Sequence, residues 1–508
     1  MINLKKTTTL LIVITIVANI FGFVKDIVLS YFYGASTTTD VYLISLTIST
    51  AVFSFLGSAI STSYVPMYSN IEKKFGKHES KWFTNNLLNI LFIIITLITI
   101  LGLTFAEQLV KVFASGFEGT TLESAVEFTK ISLLGGYFTV GILLFNAYLR
   151  LHGSYLVPAL NGLIGHSIVI LFIFLSTFWN EQLLIVGAVT GVLIQYIVLF
   201  PFLHKHGYKY EFVLKFKDPN IKKTALIAMP ILLSNSISQI NVLIDRTLAS
   251  QLATGGISSL TYANKINGFV QGIFVLSIAH IMYPLISKLA ANNQIIEFKE
   301  KVNNAIGTIN FLVIPATVGA MVLSEPLILT LFGRGAFDEQ AVMMTSNALF
   351  FYSLGMVGFG LREILSRAFY SLQDTKTPMI NASIAVILNI ILNIILSKYM
   401  GIGGLALATS ISGIISSILL FINLRKKVGS LNLFQLYVSF VKILISSTIM
   451  GIIVYWSYSF ISQNINIHIS LFISIVLGII IYLILNFLLK VKESEIIFKK
   501  IFHGGYNS

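Results

Sequence analysis

Apolar stretches close to twenty residues long recur along the whole chain, at 87–103, 168–178 with its flanks, and 469–489 among others. Each is long enough, wound as a helix, to cross a hydrocarbon core of about 30 Å. In that medium no water satisfies a free peptide group, so a crossing segment must close its hydrogen bonds on itself, as a helix does. Composition agrees with this. Hydrophobic residues make up 56% of the 508 and charged residues 11%, where a soluble domain carries about 25% charge. The expected fold class is an all-α polytopic membrane protein. Fourteen helices are expected, at 8–33, 38–64, 83–104, 126–151, 156–178, 182–203, 222–250, 258–287, 303–332, 340–370, 376–398, 402–424, 433–460 and 466–490.

The charges between these segments alternate in a way that sets orientation. Lys73, Lys74, Lys77 and Lys81 follow the second helix. Lys205, Lys209, Lys215, Lys217, Lys222 and Lys223 follow the sixth, Lys288, Lys299 and Lys301 the eighth, and Arg425, Lys426 and Lys427 the twelfth. Lys490, Lys492, Lys499 and Lys500 form the tail. All fall on one side if both ends are cytoplasmic, as basic loops should; Lys111, Arg334 and Lys398 depart from the pattern. The net charge of +13 is thereby read as loop lysine, and nucleic acid is not an expected partner. Lys5 and Lys6 precede an apolar stretch too long for a cleaved leader, so the first segment is read as a retained helix. There is no cysteine, which excludes thiolate metal sites and thiol nucleophiles. No GxxxxGK[ST] loop, nucleophile elbow, HExxH or paired-carboxylate motif occurs, so no enzymatic activity is expected.

Signatures recur at a nearly constant offset. Pro158-Ala-Leu-Asn161 returns as Pro378-Met-Ile-Asn381, and Asp26-Ile-Val-Leu-Ser30 aligns with Arg246-Thr-Leu-Ala-Ser250, both 220 residues on. Val65-Pro-Met-Tyr-Ser69 aligns with Tyr283-Pro-Leu-Ile-Ser287 at 218. A duplicated helical bundle is a common build for a transporter with its substrate site between the repeats. The expected division is a first lobe at 1–203, a cytoplasmic linker at 204–223, a second lobe at 224–425, two further helices at 426–490 and a tail at 491–508, with the pseudo-twofold along the membrane normal.

Ionisable residues inside the helices are the informative ones. They are Lys25, Asp26, Asp40, Asp245, Arg246, Lys265, Arg362, Glu363 and Arg367. A charge at a lipid-facing midplane costs about 2.5–3.5 kcal/mol on the insertion scale, so nine of them would cost on the order of 25 kcal/mol. They must face protein or water, and are expected to line one cavity. Five bases against four acids suit an anionic cargo. The plainer alternative for each is a charge snorkelling from a helix end, or an ion pair that only joins helices. Asn389 and Asn393 lie four apart on one helix face; with Asp245 and Thr409 they compose a set of hard oxygens for a small cation. Asparagine hydrogen bonding between helices explains the same pair.

Several stretches resemble the MurJ (MviN) family of lipid II flippases, in the MOP exporter superfamily. They are Gly22-Phe-Val-Lys-Asp26, Tyr33-Gly-Ala-Ser36 with Asp40, Tyr64-Val-Pro-Met67, Ser258-Ser-Leu-Thr-Tyr-Ala-Asn-Lys265, Leu331-Phe-Gly-Arg-Gly-Ala-Phe337 and Phe369-Tyr-Ser-Leu-Gln-Asp-Thr-Lys-Thr-Pro378. The resemblance runs from about residue 10 to 425 and implies alternating-access transport of the undecaprenyl-pyrophosphate-linked peptidoglycan precursor from the inner to the outer leaflet of the cytoplasmic membrane. It implies cavity roles for Lys25, Asp26, Asp40 and Lys265, to which the charge pattern adds Arg246, Arg362, Glu363 and Arg367 as substrate-cavity candidates, and a sodium ion at Asp245, Asn389, Asn393 and Thr409. No other cofactor is expected. Expected partners are membrane lipids and, as a candidate class, cell-wall synthesis enzymes. The chain departs from the family at Asn19, Phe53 and Ser58, which stand where studied members carry charges. Lys25 and Lys265 stand where they carry arginine. The alternatives are a flippase for another polyprenyl-linked glycan, a multidrug-type cation antiporter, and a non-transporting scaffold.

Overall fold

The computed structural model describes residues 4–494, without the side chains of 4–9, 12, 54–59, 61–62 and 230–238. Lys499 and Lys500, and the side chain of Ser58, therefore lie outside the described residues. Seventeen α-helices follow in order: α1 Leu4–Tyr33, α2 Thr37–Phe75, α3 Lys77–Thr104, α4 Ala106–Phe113, α5 Gly119–Leu151, α6 Leu156–Ser176, α7 Gln182–Lys205, α8 Pro219–Leu252, α9 Gly256–Val270, α10 Leu276–Ala291, α11 Ile295–Val322, α12 Ser324–Leu331, α13 Glu339–Leu354, α14 Met356–Ser371, α15 Lys376–Val428, α16 Leu433–Ile461 and α17 Ile467–Leu488. A π-helical turn, Gln271–Val275, joins α9 to α10.

Among the described residues ten helical segments, α9 and α10 counting as one, are long and apolar enough to cross a membrane, eleven if α13 and α14, bent by 44°, make one span. The expected total of fourteen is not reached by that criterion, for local reasons. Segments 376–398 and 402–424 run together as α15, a 53-residue element broken at Gly401, whose φ of 56° and ψ of −132° leave the helical region. The expected spans at 38–64 and 222–250 are the helices α2 and α8, outside the ten, and the search there passes over the undescribed side chains at 54–59, 61–62 and 230–238.

Packing divides the chain into two compact units. One comprises 1–258 with Arg334–Phe337, the other 259–333 with 338–508. In the first, α2 lies along α5, and α6 lies between α1 and α7. Small and hydroxylic residues let these backbones approach. Ser132 Oγ donates to the Ser45 carbonyl at 3.0 Å, and a Cβ on Gly136 would overlap the Phe53 ring. Tyr64, Tyr68, Tyr148 and Phe83 are fully buried at the end of this unit where α2 meets α3. In the second unit α11 is the centre, packed by α10, α13, α14 and α16. Tyr482 of α17 donates to the Phe311 carbonyl of α11 at 2.6 Å, and Ser439 of α16 to Glu493 at 2.5 Å. These bonds join the last two helices to the bundle. The exposed faces of α16 and α17 are rows of isoleucine and phenylalanine, which suits lipid as solvent.

Two turns show why short motifs stand out in this sequence. Gly34, between α1 and α2, has φ 62°, and a side chain there would overlap the Ala336 carbonyl. Ala336 N–H in turn donates to the Tyr31 carbonyl at 2.8 Å. The Arg334–Phe337 segment is thus seated on the α1–α2 turn through backbone contacts that tolerate no Cβ at Gly34. Further on, Asp374 accepts from Thr377 N–H at 3.0 Å and Thr377 Oγ1 at 2.8 Å, and Lys427 Nζ lies 2.6 Å from its other side. The carboxylate caps α15 and ties its start to its end. The Lys427 bond first, and then the Thr377 N–H, hold the Asp374 carboxyl below its ordinary value, at about 2.

Gly34→Ala is expected to destabilise the protein by on the order of 2 kcal/mol, through left-handed strain plus overlap; thermal unfolding in detergent reads it as a lowered Tm, and an unchanged Tm would refute the packed turn. Asp374→Asn keeps an oxygen for the Thr377 N–H but loses the charge bonded to Lys427, at a cost of about 0.5–1 kcal/mol. Because the folded carboxyl titrates below the unfolded one, that stabilisation is complete above about pH 4 and disappears as the pH falls toward about 2. The Tm gap between parent and variant should close over that window and no other.

Candidate functional site

The sequence-predicted charges divide between the two units. In the first, Lys25 and Asp26 are neighbours near the end of α1, and the lysine stem folds back so that Nζ lies 2.9 Å from the carboxylate. The Asp26 side chain is 3% exposed and that of Lys25 16%. A buried ion pair of this kind costs less in lipid than either charge alone. One turn earlier the His166 ring lies over Gly22, its Nε2 3.1 Å from where a Cβ would stand, so this histidine packs α6 onto α1.

Asp40 and Arg246 meet at another place in the same unit. Asp40 accepts the Ser258 N–H at 2.7 Å in the first turn of α9, and Arg246 donates to the Ile257 carbonyl at 2.9 Å. Here a carboxylate satisfies a helix N-terminus and a guanidinium an adjacent carbonyl. Both charges are engaged with the turn between α8 and α9. That turn also packs on the α1–α2 turn, because a Cβ on Gly255 (φ 77°) would overlap the Ala35 carbonyl. Asp245 belongs to this unit as well, on α8.

In the second unit Glu363 and Arg367 are one turn apart on α14, and the guanidinium meets the carboxylate at 2.8 Å through both Nε and Nη2. Arg367 also lies over the Tyr283 ring at 5.6 Å, and Arg362 over Phe359 at 5.3 Å. Arg362 and Lys265 are exposed in the described molecule. Three of the four proposed cation ligands come together here. Asn393 Nδ2 donates to Asn389 Oδ1 at 2.9 Å, and Asn389 Nδ2 donates to Thr409 Oγ1 at 3.2 Å. The break at Gly401 makes this contact, by folding the second half of α15 back along the first. Both asparagines are buried. As placed, the two amides and the hydroxyl bond to one another, as asparagines between packed helices do. Among the described residues no group of three or more His, Cys, Asp or Glu is placed to hold a metal.

Sequence reasoning missed two groups. Arg334–Phe337, noted there for its motif and its misplaced charge, packs with the first unit although the chain on either side packs with the second. The signal available was the spacing of turn glycines at 34, 255 and 335, all at positive φ. The second group is Asn85, Asn86 and Asn89 of α3, all buried, which hold the connection between α7 and α8.

The comparisons agree with one another. A family model described as Lipid II flippase MurJ matches residues 29–476. A relative from Buchnera aphidicola subsp. Baizongia pistaciae, named "Probable lipid II flippase MurJ", is 31% identical over 436 residues, covering 82% of this chain and 83% of its own. Among solved structures, a lipid II flippase MurJ in an inward closed conformation is 28% identical, with a TM-score of 0.81, and the match covers 94% of this chain and 98% of that one. An inward-facing multidrug resistance MATE transporter of the MOP superfamily shares the fold at 17% identity, with a TM-score of 0.69 over 83% of this chain and 98% of its own. With the model spanning nearly the full membrane domain, the chain belongs to the lipid II flippase MurJ family.

Proposed function

We infer that this protein moves a lipid-linked peptidoglycan precursor, lipid II, from the inner to the outer leaflet of the cytoplasmic membrane by alternating access. The observation that carries this reading is the family match over residues 29–476; the distribution of buried charge supports it. Lys25, Arg246, Lys265 and Arg362 are the bases assigned to the pyrophosphate. Lysine offers it a point charge, and arginine a planar fork. Asp26 pairs with Lys25 and Glu363 with Arg367, so an arriving polyanion exchanges partners with bases already paired, the first of them largely buried. That exchange lowers the cost of opening a charged site inside the membrane. Asp26, Asp40 and Glu363 are assigned to orient those bases or pair with them in the empty state, Asp40 and Arg246 both reaching the turn at 257–258. The lobes at 1–203 and 224–425, joined through 204–223, are the parts assigned to rock about the site, and the helices at 426–490 to take the polyprenyl tail.

The energy source assigned is the membrane potential, alone or with a cation gradient. With the inside negative, each negative charge moved outward gains about 2.3 kcal/mol per 100 mV. A sodium ion held by Asn389, Asn393, Thr409 and Asp245 would add inward cation flow to the same cycle. The same bases would suit another polyprenyl-linked glycan; the near full-length likeness to lipid II flippases favours the precursor.

Depleting the protein from a cell with no second flippase should make lipid II accumulate on the inner leaflet; normal delivery to the outer leaflet would refute the reading. Lys25→Glu and Lys265→Glu should each abolish complementation, with Lys25→Arg retaining it, whereas a scaffold would tolerate all three. Asn393→Ala should remove any stimulation by sodium in a transport assay while leaving potential-driven transport in place, and an unchanged sodium response would exclude the ion from this cluster.

A further inference from the structure

The connection from α7 to α8 runs without helix from 208 to 215, turns at 216–217, and is fastened to α3 by asparagine side chains. Asn85 Nδ2 donates to the Lys209 carbonyl at 3.1 Å, Asn89 Nδ2 to Val213 at 2.9 Å and Asn86 Nδ2 to Lys215 at 3.1 Å. The amide oxygens are used too: Asn86 Oδ1 accepts Lys215 N–H at 2.7 Å, and Tyr208 and Tyr210 donate to Asn85 and Asn89 at 2.6 and 2.9 Å. Six bonds from three residues hold this strap in one register. Phe212, Leu214 and Phe216 stand outside these bonds, with exposures of 76, 37 and 57%, and Tyr210, its hydroxyl held by Asn89, is 54% exposed. Between and beyond them stand Lys209, Lys215, Lys217, Lys222 and Lys223.

The depth of the strap follows from α3. Its 28 residues give about 42 Å of helix, some 12 Å more than the hydrocarbon core. The excess at the lysine-rich end is the stretch from Lys77 to about Asn85. Trp82 lies there, with Lys215 Nζ 5.1 Å from its ring centre, and tryptophan marks the boundary between headgroups and acyl chains. An exposed aromatic row flanked by lysines at that depth suits neither bulk water nor a dry core. We propose that residues 208–217 form an interfacial anchor, with Phe212 and Phe216 set among the lipids of the lysine-rich face and the flanking lysines on anionic phosphate headgroups. The charge complementarity is that of a polybasic segment on an anionic leaflet, and aromatic insertion supplies the apolar part. The anchor fixes the connection between α7 and α8 to the bilayer surface whatever cargo is carried.

The chain has no cysteine, so single-cysteine variants of the full protein report one position each. Phe212→Cys, Phe216→Cys and Glu211→Cys would carry an environment-sensitive fluorophore in nanodiscs of phosphatidylcholine, with or without phosphatidylglycerol. Quenching by lipid bearing a nitroxide near its headgroup is compared with quenching by aqueous iodide. Positions 212 and 216 should be quenched several-fold more by the lipid than by iodide, with the reverse at 211. Phosphatidylglycerol should increase the lipid quenching, and Lys209→Gln with Lys217→Gln should remove that increase. The two phenylalanine positions give independent readings, so misfolding of one variant leaves the test standing. Equal iodide quenching at 211, 212 and 216, or no response to phosphatidylglycerol, overturns the proposal. So does shielding seen in cell membranes but absent from nanodiscs, which would indicate a soluble protein partner.

Discussion

A lysine ammonium and an aspartate carboxylate 2.9 Å apart near the end of an otherwise apolar helix state the constraint under which this molecule is built. Charge needed for an anionic cargo must be kept inside a medium that rejects it. An unpaired Lys25 facing lipid would cost about 3 kcal/mol, a large share of a typical folding stability of about 5–15 kcal/mol. Pairing reduces that cost, and in the proposed cycle a phosphate takes the place of the carboxylate. Glu363 and Arg367 repeat the arrangement on α14. Asp40 and Arg246 answer the same constraint differently, by saturating backbone groups at Ser258 and Ile257. Charge in these helices is thus held in two ways: in ion pairs, and on backbone groups of a turn.

The constraint on charge has a counterpart in the backbone. Every peptide group in the bilayer must be satisfied, so departures from helix are few, and each has a function. The break at Gly401 sets Asn389 and Thr409, twenty residues apart in sequence, 3.2 Å from one another. The turn at Gly34 accepts the Arg334–Phe337 segment, and Asp374 closes the start of α15 against Lys427. Three motifs that carried the family resemblance, Tyr33-Gly-Ala-Ser36, Phe332-Gly-Arg-Gly-Ala-Phe337 and Gln373-Asp-Thr-Lys-Thr-Pro378, prove to be the places where the chain leaves the helix. Their residues are specified by backbone geometry and capping, as much as by cargo.

Helix positions were legible in the sequence because apolar length and basic loops are one-dimensional signals, and the boundaries around Gly401 and Gly34 were readable from glycine. The pairing of Lys25 with Asp26, and of Glu363 with Arg367, was readable too, since both are local on a helix. What was not legible depends on contacts between residues distant in sequence. Asn85, Asn86 and Asn89 look like ordinary polar residues at a helix start, and nothing in their spacing announces that they bind a strand about 125 residues later through its carbonyls. Asp40 was read as a cavity acid because its type and depth fit; its bond to Ser258 is a tertiary fact. The number of spans is not settled by apolar length, which does not say whether a bent element such as α15, broken at Gly401, counts once or twice.

The most direct test of the account is transport of purified lipid II by the purified protein in proteoliposomes, with a potassium-diffusion potential imposed in either sense. If exchangeable buried bases carry a polyanion outward, transport toward the positive side should accelerate with the potential and fall when its sign is reversed. Equal rates at both signs, or no transport of lipid II by correctly folded protein, would contradict it.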